Sequence, residues 1–114
     1  MEKDSVYLKH ILDAIIAIEG YIEKVDFADF QEHKNKLTQD GVMRELEIIG
    51  EAAKSLSAEF KSSYSEIPWK DIMSMRDRLI HEYFGVDLKV VWETVQEDLP
   101  KLKAQIEGIL SKES

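Results

Sequence analysis

The sequence predicts an all-α protein, an antiparallel up-and-down bundle of four long helices with short helical turns between them. Three observations carry this. Apolar residues recur at steps of three and four along nearly the whole chain, the period of a helix with one buried stripe. No stretch alternates as a strand would. Two prolines and five glycines in 114 residues leave room for long helices and short connections, the pattern of a bundle. The length suits a single domain over residues 1–114, and a hydrophobic share of 44% is enough for a core.

The first helix follows from Leu8, Ile11, Ile15, Ile18, Ile22 and Val25. Leu12 and Ile16 widen that stripe, so this helix should face more than one neighbour. Asp4 or Ser5 can cap its start. Residues 26–37, DFADFQEHKNKL, read as a loop or short helical turn. Thr38 and Asp40 are cap candidates for the next helix, in which Val42, Leu46, Ile49, Ala53 and Leu56 step by four and three. Gly50 interrupts it, at a cost of ~1 kcal/mol against alanine that close approach of another helix would offset. SAEFKSSYSE, residues 57–66, breaks the pattern. A third helix should run from about Pro68, harmless in a first turn, to Phe84, with Gly85 as a left-handed cap. Asp87 can cap a fourth, whose stripe is Leu88, Val91, Val95 and Leu99. Pro100 should kink or restart it, with Asp98 as a new cap, and Leu102, Ile106 and Ile109 continue the stripe. Trp69 and Trp92 suit core or interface.

Composition excludes several classes. Without cysteine there is no disulfide, thiolate nucleophile or cysteine metal site, which fits a reducing cytoplasm. No apolar run approaches the ~20 residues of a membrane span, and MEKDSVYLKH lacks the parts of a signal peptide. A cytoplasmic protein is expected. A net charge of −8 argues against a general nucleic-acid binder with a basic footprint, and DNA is not expected. It leaves room for local contact with RNA and for a basic partner. The residues three before His10, His33 and His81 are Tyr7, Phe30 and Arg78, so the Glu-x-x-His pattern of a di-iron bundle fails. No glycine-rich phosphate loop occurs. The sequence calls for no cofactor and no metal. His10 reads as a surface or capping residue and His33 as a loop residue. Glu51, beside Gly50 and near Glu45 and Glu47, either faces a site or makes an interfacial hydrogen bond.

The densest chemistry lies in RDRLIHEYFGVD, Arg76 to Asp87. On a helix, Asp77 and His81 are four apart and face together. Arg78 and Glu82 have surface ion-pair spacing. Arg76 and Tyr83, seven apart, lie nearly in line. Arg76 and His81 are five apart, about 140° around an ideal helix. A second copy of this helix in a homodimer is the natural way to complete a site from them. The residue types suit cleavage of a phosphodiester. Histidine carries a proton near neutral pH, and the C-terminal end of a helix favours protonated His81. Arginine grips phosphate and stabilises charge growing on it. Asp77 can orient the imidazole. RNA brings its own nucleophile, the 2′-hydroxyl, so no metal is needed. The same residues would equally serve as a surface pair at a helix end.

Arg76-Asp77-Arg78-Leu79-Ile80-His81-Glu82-Tyr83 resembles the arginine, four residues, histidine, one residue, tyrosine motif of HepT-like toxins, small helical ribonucleases of the HEPN superfamily. That superfamily favours a polar residue after the arginine, as Asp77 is. LEIIGEAAKSLS (Leu46 to Ser57), IPWKDIMSMRDRLIHEYFGVD (Ile67 to Asp87) and VWETVQEDLPKLKAQI resemble further blocks of the family, so the likeness spans about Leu8 to Leu110. It implies a metal-independent endoribonuclease and toxin, with catalytic Arg76 and His81. It also implies a partner antitoxin, an MntA-like nucleotidyltransferase that attaches AMP to Tyr83, with which the homodimer expected from the helix register could form a larger hetero-oligomer. The rival reading is a non-catalytic helical module that only docks a nucleotidyltransferase. The intact Arg76 and His81 favour the enzyme.

Overall fold

The computed structural model describes residues 2–81 and 87–113, and every regular element among them is helical. Helix α1 spans Glu2–Tyr21, α2 Phe27–Phe30, α3 Lys36–Ser55, α4 Ala58–Ser63, α5 Trp69–His81, α6 Leu88–Glu93 and α7 Leu99–Glu113, with a 3-10 turn at His33–Asn35. Helix α3 packs against α1 on one side and α5 on another, and α7 returns to α1.

Leu8, Ile11, Ile15 and Ile18 of α1 are buried as the spacing predicts, joined by Ala14; the helix ends at Tyr21, so Ile22 and Val25 of the predicted stripe lie past it, partly buried against the core. Ile16 is not part of it: its side chain is 49% exposed. Its direction lies about 100° from Ile15 on the outer side of the helix. The cap expected at Asp4 or Ser5 is also corrected. The helix begins at Glu2, so both residues lie inside its first turn or two. Asp4 is buried instead, and a buried carboxylate must be hydrogen-bonded to remain. Ser57 supplies both partners, its N–H donating to Asp4 Oδ1 at 2.8 Å and its hydroxyl to Oδ2 at 2.9 Å.

Ser57 also explains why residues 57–66 are more than a break in pattern. Its Oγ accepts from Phe60 N at 3.1 Å and caps α4, a helix the apolar spacing did not predict because it is a single short run around one buried residue, Phe60. Asp4 thus anchors the cap of α4 to the start of α1.

The connection at 26–37 is a short helical turn, as expected. Asp26 caps α2 by accepting from Asp29 N at 2.8 Å. Gln39 Nε2 donates to the carbonyls of Phe30 and Glu32 at 2.8 and 3.1 Å, which ties the turn to α3. Neither Thr38 nor Asp40 caps α3. The 3-10 turn runs straight into the helix, the Lys36 amide bonding the His33 carbonyl, so the start lies upstream of both. Asp40 instead pairs with Lys36 at 3.0 Å, one turn back. Where α1 ends against α3, Gly41 leaves room for the Tyr21 ring. A Cβ there would sit 3.2 Å from a ring carbon.

Trp69 is a core residue, and Trp92 is partly buried against the core. Trp69 is buried with Nε1 donating to the Tyr64 carbonyl at 3.0 Å, and Trp92 stacks on Phe30 with ring centroids 5.1 Å apart. Pro68 stands just outside α5, its carbonyl accepting the first helical bond from Ile72 N at 3.1 Å. Asp87 caps α6 as expected, accepting from Lys89 N at 2.9 Å.

Pro100 does not restart the last helix with Asp98 as its cap. Residues 94–98 form a single wide π turn, and α6 and α7 run on through it with helical backbone at both joints. Proline has no N–H and its ring crowds the carbonyl four residues back. The wide turn absorbs that defect by bonding Leu99 N–H five residues back, to the Thr94 carbonyl. Near the other end of α1, Lys103 of α7 donates to Glu19 at 2.9 Å, a bond that holds the Lys103 ammonium above its ordinary pKa.

Removing the Asp4 carboxylate leaves the Ser57 amide without its partner and frees the α4 cap. Asp4→Ala should lower stability by about 2–3 kcal/mol, read from urea unfolding, with Asp4→Asn losing less. An unchanged midpoint for Asp4→Ala would show that the buried carboxylate contributes nothing.

Candidate functional site on helix α5

The backbone of Arg76, Asp77 and His81 lies in the last two turns of α5, as the spacing predicts. The side chains of Arg76, Arg78 and His81 lie outside the described residues, as do Glu82 to Val86 entirely, so the expectations for Tyr83, Phe84 and Gly85 fall there too. What the structure does give is the frame that holds this segment.

Trp69 and Ile72 are the buried residues of α5. In helical register, position 76 falls about 20° from Trp69 and about 40° from Ile72. Position 81 falls about 40° from Asp77, on a different flank. Asp77 is exposed and reaches α3: Lys54 Nζ lies 3.4 Å from its Oδ1. One turn earlier, Lys61 of α4 places Nζ 3.3 Å from Met73 Sδ and donates to the Ala53 carbonyl, also at 3.3 Å. Two ammonium groups from two different helices therefore sit along the flank of α5 that carries Asp77. Neither lysine is marked by its local sequence. Each meets α5 only because α3 and α4 fold against it.

Two grooves bound this region. One, of about 290 Å³, lies between α1 and α3 and is lined by Tyr7, His10, Arg44, Glu47 and Glu51 among others. His10 stays at the surface there, edge-on to Tyr7 with centroids 6.0 Å apart, and the exposed Glu51 belongs to this groove. The other, of about 460 Å³, lies between α5 and the C-terminal helices. Asp71, Glu93, Glu97 and Asp98 stand around an apolar floor that includes Ile72 and Leu102, with Lys101 also in the lining. Among the described residues no group of three or more histidines and carboxylates is placed to hold a metal, and no helix is long and apolar enough to cross a membrane.

The sequence model of the Ribonuclease HepT-like family matches residues 11–109, which include all of α3 to α6 and the whole Arg76–Tyr83 motif. The chain belongs to this family. It is 50% identical over 103 residues to the Thermococcus cleftensis protein named "Probable ribonuclease HepT", covering 90% of this chain and 92% of that one. It is 42% identical over 113 residues to a candidate RNase of Caldanaerobacter subterraneus subsp. tengcongensis, covering 99% of both. A Methanocaldococcus jannaschii protein, named as a gamma-glutamylcyclotransferase and candidate RNase, is 49% identical over 113 residues. This chain covers 98% of itself in that match and spans about half the length of that relative, 50%. No solved structure matches.

Because the Lys54–Asp77 pair is exposed on both sides, its contribution to folding is small. A double-mutant cycle of Lys54→Met and Asp77→Asn should give a coupling of about 0.2–1 kcal/mol in thermal or urea unfolding. A coupling above about 2 kcal/mol would mean the pair holds α3 and α5 together.

Proposed function

We propose that this HepT-like chain is a metal-independent endoribonuclease and the toxin of a toxin–antitoxin pair. Its family membership, with a match running through Arg76, His81 and Tyr83, is the observation that supports the reading. In the reaction the 2′-oxygen of RNA forms a bond to the adjacent phosphorus and the bond from phosphorus to the 5′-oxygen breaks. A proton leaves the 2′-hydroxyl and another must reach the departing 5′-oxygen. His81 handles a proton, and Arg76 offsets the charge growing on the phosphoryl oxygens. The products are a cyclic 2′,3′-phosphate and a 5′-hydroxyl, so neither water nor a metal enters the cleavage step. Asp77, four residues before His81 and held towards α3 by Lys54, acts in support.

The register of α5 is the reason to propose a homodimer. Positions 76 and 81 lie about 140° apart on one helix, so apposing two copies of α5, within a four-helix up-and-down bundle, brings an arginine of one copy near a histidine of the other. The partner antitoxin is an MntA-like nucleotidyltransferase, which joins the dimer in a larger hetero-oligomer in the cytoplasm and attaches AMP to Tyr83. Added negative charge and bulk two residues after His81 would repel and block an RNA phosphate, as phosphorylation disrupts an anion site.

Purified protein should cleave RNA equally well with and without EDTA. His81→Ala and Arg76→Ala should each lower cleavage on the order of 10²-fold or more. Loss of activity in chelator, with His81→Ala fully active, would overturn the mechanism.

The regulatory step has its own test. With the nucleotidyltransferase and ATP, the mass of one AMP should map to the peptide carrying Tyr83 and cleavage should stop. Tyr83→Phe should still cleave RNA, yet escape both the label and the inhibition. Full neutralisation of Tyr83→Phe would remove this tyrosine from the mechanism.

A further inference from the structure

We propose that the backbone of the RNA runs along the flank of α5 that faces α3 and α4, with Lys54 and Lys61 as its two phosphate-binding residues beyond the motif. The inference rests on the ribonuclease reading and adds binding residues to it.

The geometry of the two lysines points there. Lys54 Nζ stands 3.4 Å from Asp77 Oδ1 and Lys61 Nζ stands 3.3 Å from Met73 Sδ. Met73 and Asp77 are one turn apart on α5, about 6 Å along the axis, close to the step between neighbouring phosphates on one strand. The next turn in the same direction brings position 81, in register with Asp77. The two ammonium groups therefore stand at successive turns along one flank of α5, and position 81 is the next turn of the same backbone register. An ammonium carries three N–H donors. Lys54 directs one at an exposed carboxylate, at long range. Lys61 directs one at the Ala53 carbonyl at the end of α3 and rests against a weakly accepting thioether. Both keep donors for a phosphate oxygen, and Lys54 is 38% exposed. Lys70, exposed and seven residues before Asp77, extends the same line towards the start of α5.

Among the described residues, the opposite flank of α5 repels a polyanion. The groove on its opposite flank carries Asp71, Glu93, Glu97 and Asp98 against Lys101. Beyond α3, the groove towards α1 is mixed in charge, with Glu47 and Glu51 beside Arg44 and His10. In a chain of net charge −8, the acidic groove on the opposite flank leaves the lysine flank as the less repulsive of these two approaches to α5.

The test uses the full chain and a short single-stranded RNA. Binding is measured by fluorescence anisotropy in the His81→Ala background from about 50 to 200 mM salt, where removing one phosphate-binding cation flattens the slope of log K against log salt by about 0.7. Lys54→Met should flatten it by that amount, as should Lys61→Gln, which keeps an amide donor for the Ala53 carbonyl. Lys54→Arg should restore the slope. In the cleaving protein Lys54→Met should lower kcat/KM about tenfold, mostly through KM, while Glu93→Gln and Glu97→Gln leave the salt slope unchanged. If Lys61→Gln fails to fold, Lys54→Met alone decides. A parent that cleaves RNA while Lys54→Met keeps the parental slope overturns this inference and leaves the ribonuclease reading intact. A parent that neither binds nor cleaves RNA overturns both.

Discussion

Helix α3 must bury two faces at once, and the rest of the structure depends on how it does so. It packs against α1 and against α5. Its buried positions, Val42, Leu46, Ile49, Gly50, Ala52 and Ala53, change from branched residues to small ones along the helix. The large residues fill the middle of the core. The small ones are buried near the end that carries Lys54. Helices packed on a narrow surface have little freedom to rotate, because interiors are dense and a change of one methylene is felt. The rotation of α5, and with it the placing of Asp77 beside Lys54, follows from that fit. The candidate site on α5 thus draws its frame from the helix behind it.

Much of this was legible in the sequence. The stripes of α1, α3 and α7 are the buried residues, and Asp87 caps where its position before an apolar run suggests. Periodicity reports burial, and burial on helices is periodic. The failures share one cause. Asp4 sits where an N-cap should be, yet its carboxylate reaches Ser57, 53 residues away, which no local rule can express. Helix α4 escapes such a reading because one buried phenylalanine makes no period. Pro100 suggests a kink or a restart, and in place of a restart the chain has a π turn, because the stripe of Val95, Leu99, Leu102 and Ile106 stays covered only if the helix runs on. Burial of four apolar residues outweighs one lost hydrogen bond, which is worth about 0.5–1.5 kcal/mol net.

The candidate site divides in the same way. Arg76, Asp77, His81 and Tyr83 stand out in sequence because they are close together and chemically dense, and α5 carries the first three through His81. Lys54 and Lys61 could not be found so. They lie 22 and 15 positions before Arg76 among ordinary surface lysines, and only the meeting of α3, α4 and α5 distinguishes them from the others.

An acidic protein that acts on RNA poses an electrostatic question that local placement answers. At physiological salt, charges are screened over about 8 Å, so a strand lying on one helix flank feels the groups beside it far more than the whole chain's −8. What then matters is the order of charge around α5. Carboxylates occupy the groove on one flank and lysines from α3 and α4 occupy the other. On the ribonuclease reading, the acidic groove can stay acidic without harming a reaction on the far side of the helix, and it would steer a flexible polyanion by exclusion. Like-charge juxtaposition of this kind selects partners as effectively as attraction does. On the ribonuclease reading the two flanks have separate work. One admits a phosphate backbone, and the other is left to ligands of the opposite charge.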